Sequence, residues 1–180
     1  MKDIIKNIVA SIISAILITV IFALWSDSKL KEYDLTGHWT LKATTQKTSL
    51  EAFENMELFY YVQIIQSSDN ILLRAEKIKE KTIVGGIKEY YGKNRTYVKC
   101  EGRKKYNYFS KNKLVLNCEE VGKIRKSTII LDLKINTENK IIGSFISSVA
   151  NSSGVIEINR KTNRAANKYP SGNLLAIFNR

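Results

Sequence analysis

The chain opens on a run with no charged position and closes on a long stretch in which apolar and polar residues alternate. From Ile8 to Trp25 the sequence reads IVASIISAILITVIFALW. As a helix this run spans roughly 27 Å, close to the hydrocarbon thickness of a bilayer. Only Ser11, Ser14 and Thr19 interrupt it, and their hydroxyls can bond back to helix carbonyls. A cleaved signal peptide would have a shorter apolar core and small residues at its end. This run ends in Phe22-Ala23-Leu24-Trp25, and no cysteine follows closely, so a retained single-pass helix is expected over residues 1–26. Trp25 sits where an interfacial aromatic belongs.

After a short linker, residues 27–34, the pattern changes period. Strand-like runs fall near Gly37–Thr45, Glu57–Gln66, Ile71–Ile78, Thr82–Tyr91, Thr96–Glu101, Leu114–Glu120, Ser127–Ile135, Ile141–Val149 and Gly154–Lys161, separated by polar turns. Connections such as Ser67-Ser68-Asp69-Asn70 are short enough for antiparallel neighbours. Within the runs, Ile129, Leu131, Leu133 and Ile135 share one face, as do Leu114, Leu116 and Cys118. One proline in the chain and no helical apolar period after Trp25 complete the pattern. The predicted fold is mainly β: a compact antiparallel up-and-down barrel of eight or nine strands over residues 35–161, preceded by one transmembrane helix. A tail, residues 162–180, is less regular, with Leu174–Phe178 free to pack on the barrel, lipid or a partner.

Two residues argue that the sheet closes. Gly37, Trp39, Leu41 and Ala43 point one way from the first strand. On the last strand Arg160 shares a face with Ile156 and Ile158, an odd place for a charge. If first and last strands are neighbours, the guanidinium lies over the Trp39 indole and caps the barrel end.

Charge and candidate chemistry change the picture only in part. The formal net charge is +12, nearly all of it after the apolar run. Such a surface favours an anionic partner, although lysines on the outer faces of strands also keep a protein soluble. Lysine counts on the two flanks of the helix are balanced, so charge does not orient it. Cys100 and Cys118 each sit in a strand-like run, where buried free thiols are expected rather than a disulfide framework or a metal site. Gly85-Gly86 reads as a bend or bulge within a strand. The one histidine, His38, has no evident partner, and no phosphate loop, metal cluster or nucleophile signature occurs. No enzymatic activity, metal or cofactor is therefore expected.

Binding is better supported. Tyrosines crowd the stretch Glu57–Ser110, interleaved with Arg74, Lys88, Lys93, Arg95, Lys99 and Arg103. Aromatic faces stack on bases and cations hold phosphates. Tyrosine is also simply a favoured strand residue. Tyr61, Arg74, Tyr91, Tyr97, Lys99 and Tyr106 are the candidate ligand contacts, with an inward or mouth position inferred from alternation. In the helix, Ala10, Ser11, Ser14 and Ala15 form a small-residue face that lets two helices approach closely. Small residues are also common in such helices.

On Leu35-Thr36-Gly37-His38-Trp39, on Val62-Gln63-Ile64-Ile65-Gln66, on Gly143-Ser144-Phe145 and on Ser153–Arg160, the chain resembles the membrane-anchored β-barrel effectors of bacterial anti-phage signalling, best known from CBASS systems. Lipocalin-type barrels also pair a Gly-x-Trp opening with a late Arg. The resemblance implies a bacterial inner-membrane protein with a cytoplasmic barrel. It implies that a cyclic nucleotide from a partner cyclase binds the barrel (a cyclic di- or oligonucleotide, or a cyclic mononucleotide). Homo-oligomers would then form, and their helices would disrupt the membrane in abortive infection. That family commonly carries two membrane helices where this chain has room for one. The alternative is a membrane-tethered lipocalin-like barrel that holds a lipid or a protein partner.

Overall fold

The computed structural model describes residues 2–29, 33–92, 95–107, 110–121 and 126–161. Helix α1, Lys2–Lys29, continues three residues beyond the expected end at 26. Its segment Ile4–Trp25 is 22 residues long and apolar enough to cross a bilayer. All its side chains from Ile4 to Leu24 are exposed, so no barrel surface covers them. Thr19 Oγ1 donates to the Ala15 carbonyl at 2.8 Å, which satisfies the hydroxyl inside the helix. Phe22 and Trp25 pack ring against ring at 5.8 Å.

Nine antiparallel strands follow: β1 Gly37–Lys47, β2 Glu57–Ser67, β3 Asn70–Thr82, β4 Gly86–Glu89, β5 Tyr97–Lys105, β6 Lys113–Val121, β7 Lys126–Thr137, β8 Lys140–Ser147 and β9 Ser152–Arg160. Eight of them close into a barrel in the order β1-β2-β3-β5-β6-β7-β8-β9, and β9 pairs back on β1. The ninth, β4, is a hairpin arm: it pairs with the far half of β3 at Lys79–Thr82, while β5 pairs with the near half at Asn70–Glu76. The stretch Thr82–Tyr91, expected as one strand, is thus the end of β3, a turn and β4. Gly85-Gly86 lies at that turn, where Gly86 takes φ +67°, and not at a bend within a strand.

Two-residue periodicity sets the wall. Inward positions form one continuous core, and on β1, β3 and β9 their size falls from one end to the other. On β1 the inward series is Trp39, Leu41, Ala43, Thr45; on β3 it is Ile71, Leu73, Ala75; on β9, read back, it is Ile158, Ile156, Gly154, Ser152. The end where the chain enters from Leu35 is therefore packed solid, and the opposite end is hollow. Close wall packing needs glycine at Gly102, where a Cβ would stand 2.0 Å from the Val115 carbonyl oxygen.

The floor carries the contact expected from sequence. Trp39 and Arg160 are directly paired across β1 and β9, and the guanidinium lies 4.6 Å from the indole centroid. Arg160 also donates to three backbone carbonyls: Glu138 at 3.1 Å, Thr36 at 3.3 Å and Asp34 at 2.5 Å. The indole N–H donates to the Leu35 carbonyl at 2.9 Å. Leu35, fully buried, is held by its own N–H on the Gln66 side chain.

The cysteines correct an expectation. Cys100 on β5 and Cys118 on β6 are opposite one another, both inward and buried, and they form a disulfide. Cross-strand pairing with shared facing brings the two sulfurs together. The tail 162–180, Lys93 and Tyr108 lie outside the described residues.

Candidate functional site

The hollow end of the barrel is a cup of about 360 Å³. Its lower wall is apolar: Leu41, Leu73, Val98, Leu131, Phe145 and Ile156, with the disulfide between them. Small inward residues make the space, namely Ala43, Ala75, Ser127, Ser147 and Ser152. Phe53, Met56 and Val149 stand at the rim. The volume lies at the small end of the range for small-molecule sites, and an apolar wall with a few polar groups is their usual composition.

The polar groups form a band near the mouth. A register shift between Phe59 and Tyr60 of β2 leaves Ile78 of β3 as an extra residue. The bulge switches the parity of β3, so Lys77 and Glu80 both line the cup. They form an ion pair at 3.2 Å. Tyr90 closes over them, with the Lys77 ammonium 4.8 Å from its ring centroid. Burial works to raise the Glu80 pKa, but the Tyr90 hydroxyl and the nearby Lys77 and Lys88 ammonium groups outweigh it and hold it below the ordinary range. Burial, with the hydrogen bond to Glu80, pushes the Tyr90 phenol well up. Arg95 pins this corner by donating to Glu76 at 2.7 Å and to the Tyr90 carbonyl at 3.3 Å.

Across the cup, Glu120 ends the inward series of β6 and accepts the Ser127 hydroxyl at 3.2 Å. Tyr60 lines the wall on β2, beside the strand that carries Glu80. Burial, reinforced by the Glu120 and Glu80 charges, pushes its phenol well above the usual range, so it keeps its proton at neutral pH.

The sequence-nominated ligand residues do not line this cup. Their inward or mouth placement is corrected: on each strand the neighbour of the expected residue faces in. Tyr60 is inward, so Tyr61 is outward; Leu73 and Ala75 are inward, so Arg74 is outward; Val98 and Cys100 are inward, so Tyr97 and Lys99 are outward. Four of the six nevertheless come together on the outer wall. Tyr61, Glu76 and Tyr97 form one row across β2, β3 and β5, and Gln63, Arg74 and Lys99 form the next. Lys99 is held by Glu101 at 2.7 Å, and the Lys161 ammonium sits 5.1 Å from the Tyr61 ring centroid. Tyr91, exposed, follows β4 and donates to Glu89. Tyr106 lies at the floor end, where the buried Lys104 stacks on its ring at 5.0 Å. Gly37, Trp39 and Arg160 meet at the floor, where a Cβ on Gly37 would touch Arg160 at 3.5 Å. Ala10, Ser11, Ser14 and Ala15 are exposed along α1.

Sequence reasoning missed Tyr60, Lys77, Glu80 and Glu120. The available signal was the row of small residues at inward positions near one set of strand ends, which marks unfilled space.

No protein-family model matches the chain, and no curated protein matches it. Solved structures do resemble it. A redesigned β barrel, mFAP0, bound to DFHBI, aligns at TM-score 0.50 and 9% identity over 70% of this chain and 98% of that one. A second redesigned barrel, b11L5F_LGL, aligns at TM-score 0.51 and 12% identity over 71% of this chain and 92% of that one. A third, mFAP1, also bound to DFHBI, gives 0.50 at 8% identity, covering 71% and 94%. At such identities the likeness establishes the architecture alone: this chain carries a small closed antiparallel β barrel behind an apolar helix.

Proposed function

We propose that the chain is a membrane-tethered small-molecule receptor, whose barrel takes a ligand into the cup while α1 holds it in a bilayer. The observation that carries this reading is the cup itself: a solid floor, an apolar lower wall and an open mouth ringed by hydrogen-bonding groups. A close-packed interior would have filled that space. The lining suits a mainly apolar body with one polar end, as in the lipocalin-like alternative. The test is calorimetry on the full chain in phosphatidylcholine nanodiscs with a panel of small apolar ligands, beside the variant Ala75→Phe. That substitution fills the cup and abolishes binding; equal binding by the variant refutes the reading.

A second reading is favoured by the outer wall, where Arg74 and Lys99 are direct cross-strand neighbours flanked by Tyr61 and Tyr97. Two cations beside two aromatic rings are what a nucleotide requires. In this reading the chain is the anti-phage effector its resemblance implies. A cyclic nucleotide from a cognate cyclase binds the barrel, copies gather, and the helices breach the inner membrane. It requires a cytoplasmic barrel, and the Cys100–Cys118 disulfide weighs against that compartment, where thiols are kept reduced. Thermal shift with cyclic mono-, di- and trinucleotides tests it; silence across the panel removes it. Replacing Ile8–Trp25 with a poly-Leu anchor should abolish toxicity and spare binding, and toxicity that persists makes α1 a mere tether.

A further inference from the structure

The band at the mouth of the cup also specifies the charge of what it receives. Resting on the cup reading, we propose that the ligand is a small amphiphile with a cationic amine head, seated against Glu120 and the Tyr60 hydroxyl with its apolar body below.

The first observation is Tyr60. It is 5% exposed and lines the cup, yet no hydrogen bond to its hydroxyl is found among the described residues. The hydroxyl is not among the sealed polar atoms that lack a partner, so it opens to the cup, where a ligand group can bond it.

The second observation is the charge count of the lining. Lys77 is the cation of the cup wall, and it is engaged by Glu80 at 3.2 Å and by the Tyr90 ring. Glu120 has no such counterion among the described residues; its recorded partner is the Ser127 hydroxyl. Among the described residues the cup therefore presents one half-buried carboxylate without a counterion, and a phenol that can take a further hydrogen bond. A carboxylate or phosphate head would be repelled there. A neutral hydroxyl would bond without compensating the charge. An ammonium does both, giving protons to Glu120 and to the Tyr60 oxygen.

The third observation is the direction the pair imposes. Below it, Leu41, Leu73, Leu131, Phe145 and Ile156 offer nothing to a polar head. The amine must stay at the band and the hydrocarbon must point to the floor, so desolvation of the head is limited while the body is buried.

Three probes of one shape separate the possibilities: phenethylamine, phenethyl alcohol and phenylacetate, titrated calorimetrically into the full chain in phosphatidylcholine nanodiscs, with empty nanodiscs as the blank. The amine should bind roughly tenfold tighter than the alcohol, the gain expected when one hydrogen bond becomes charge-assisted. The acid should bind weakest. Glu120→Gln, nearly the same shape, should erase the preference for the amine and leave the alcohol within about twofold, since a neutral amide keeps the hydrogen bond and drops the charge. Tyr60→Phe should weaken amine and alcohol together. An acid that binds as tightly as the amine, or a preference that survives Glu120→Gln, overturns the head-group assignment and leaves the cup reading standing. Probes that bind Ala75→Phe as well as the native chain, or none of the three binding, overturn both.

Discussion

Removing the guanidinium of Arg160 should loosen the whole barrel, and its cost can be worked from the contacts. Three backbone carbonyls lose a charged donor, at 3.1, 3.3 and 2.5 Å. Hydrogen bonds to charged groups contribute about 1.5–3 kcal/mol each when buried, but this corner is partly wet, and about 0.5–1 kcal/mol each is the fitting figure. The cation–π contact, 4.6 Å from the Trp39 centroid, adds about 0.5–1 kcal/mol. Arg160→Ala should therefore destabilise the barrel by about 3 kcal/mol, which lowers the melting midpoint by roughly 10 °C for a domain this size. In a Trp25→Phe background Trp39 is the one remaining tryptophan, so its fluorescence reports the floor alone. Urea titration of the full chain in nanodiscs reads the change directly. Arg160→Lys should recover part of the loss, because an ammonium keeps the charge over the ring but lacks the fork that reaches three carbonyls. A shift under about 0.5 kcal/mol for Arg160→Ala, or a lysine variant equal to the native chain, would show that the floor is held by Leu35 and Trp39 packing and not by the arginine.

Other expectations are independent of that corner. Gly102→Ala drives a Cβ into the Val115 carbonyl and should cost about 3 kcal/mol in urea, whereas a substitution without effect would mean that β5 and β6 can slide apart. Lys42 beside Glu57, and Tyr90 with Lys77 against burial at Glu80, hold those carboxyls below their usual range. A depressed native pKa gives stability that is present above the unfolded value and lost as pH falls through the native one. The melting midpoint should thus stay level near neutrality and drop below about pH 4, and Glu57→Gln should soften that drop. Cells lysed straight into denaturant with alkylating agent should show Cys100 and Cys118 protected on a non-reducing gel; alkylation of both would place the pair in a reducing compartment.

The barrel was legible because alternation needs no partner to be read. Leu114, Leu116 and Cys118, or Leu131, Leu133 and Ile135, declare their facing within one strand. The Trp39–Arg160 contact was legible for the opposite reason: a charge among inward residues has few ways to be satisfied. The disulfide was not, because it depends on register between strands, which neither cysteine encodes locally. The β3–β4 turn was hidden by Gly85-Gly86, which reads equally as bulge or hairpin. The site failed on parity. Tyr60 and Tyr61 are adjacent and chemically identical, so the sequence names a tyrosine without saying which faces the cup. The bulge at Ile78 then put Lys77 and Glu80 on one side, against simple alternation.

The closure of β9 on β1 has a consequence for how the protein is made. Arg160 reaches a carbonyl 124 residues earlier in the chain. At a synthesis rate of about 5–20 residues per second, roughly 6 to 25 seconds separate the two ends of that contact leaving the ribosome. Helix α1, formed from local hydrogen bonds alone, is complete before β1 exists. In the tethered reading proposed above, the helix must find its bilayer while every strand of the barrel still has an open edge. On that reading insertion comes first and closure last, so a chain stalled before β9 would be an anchored, unclosed sheet.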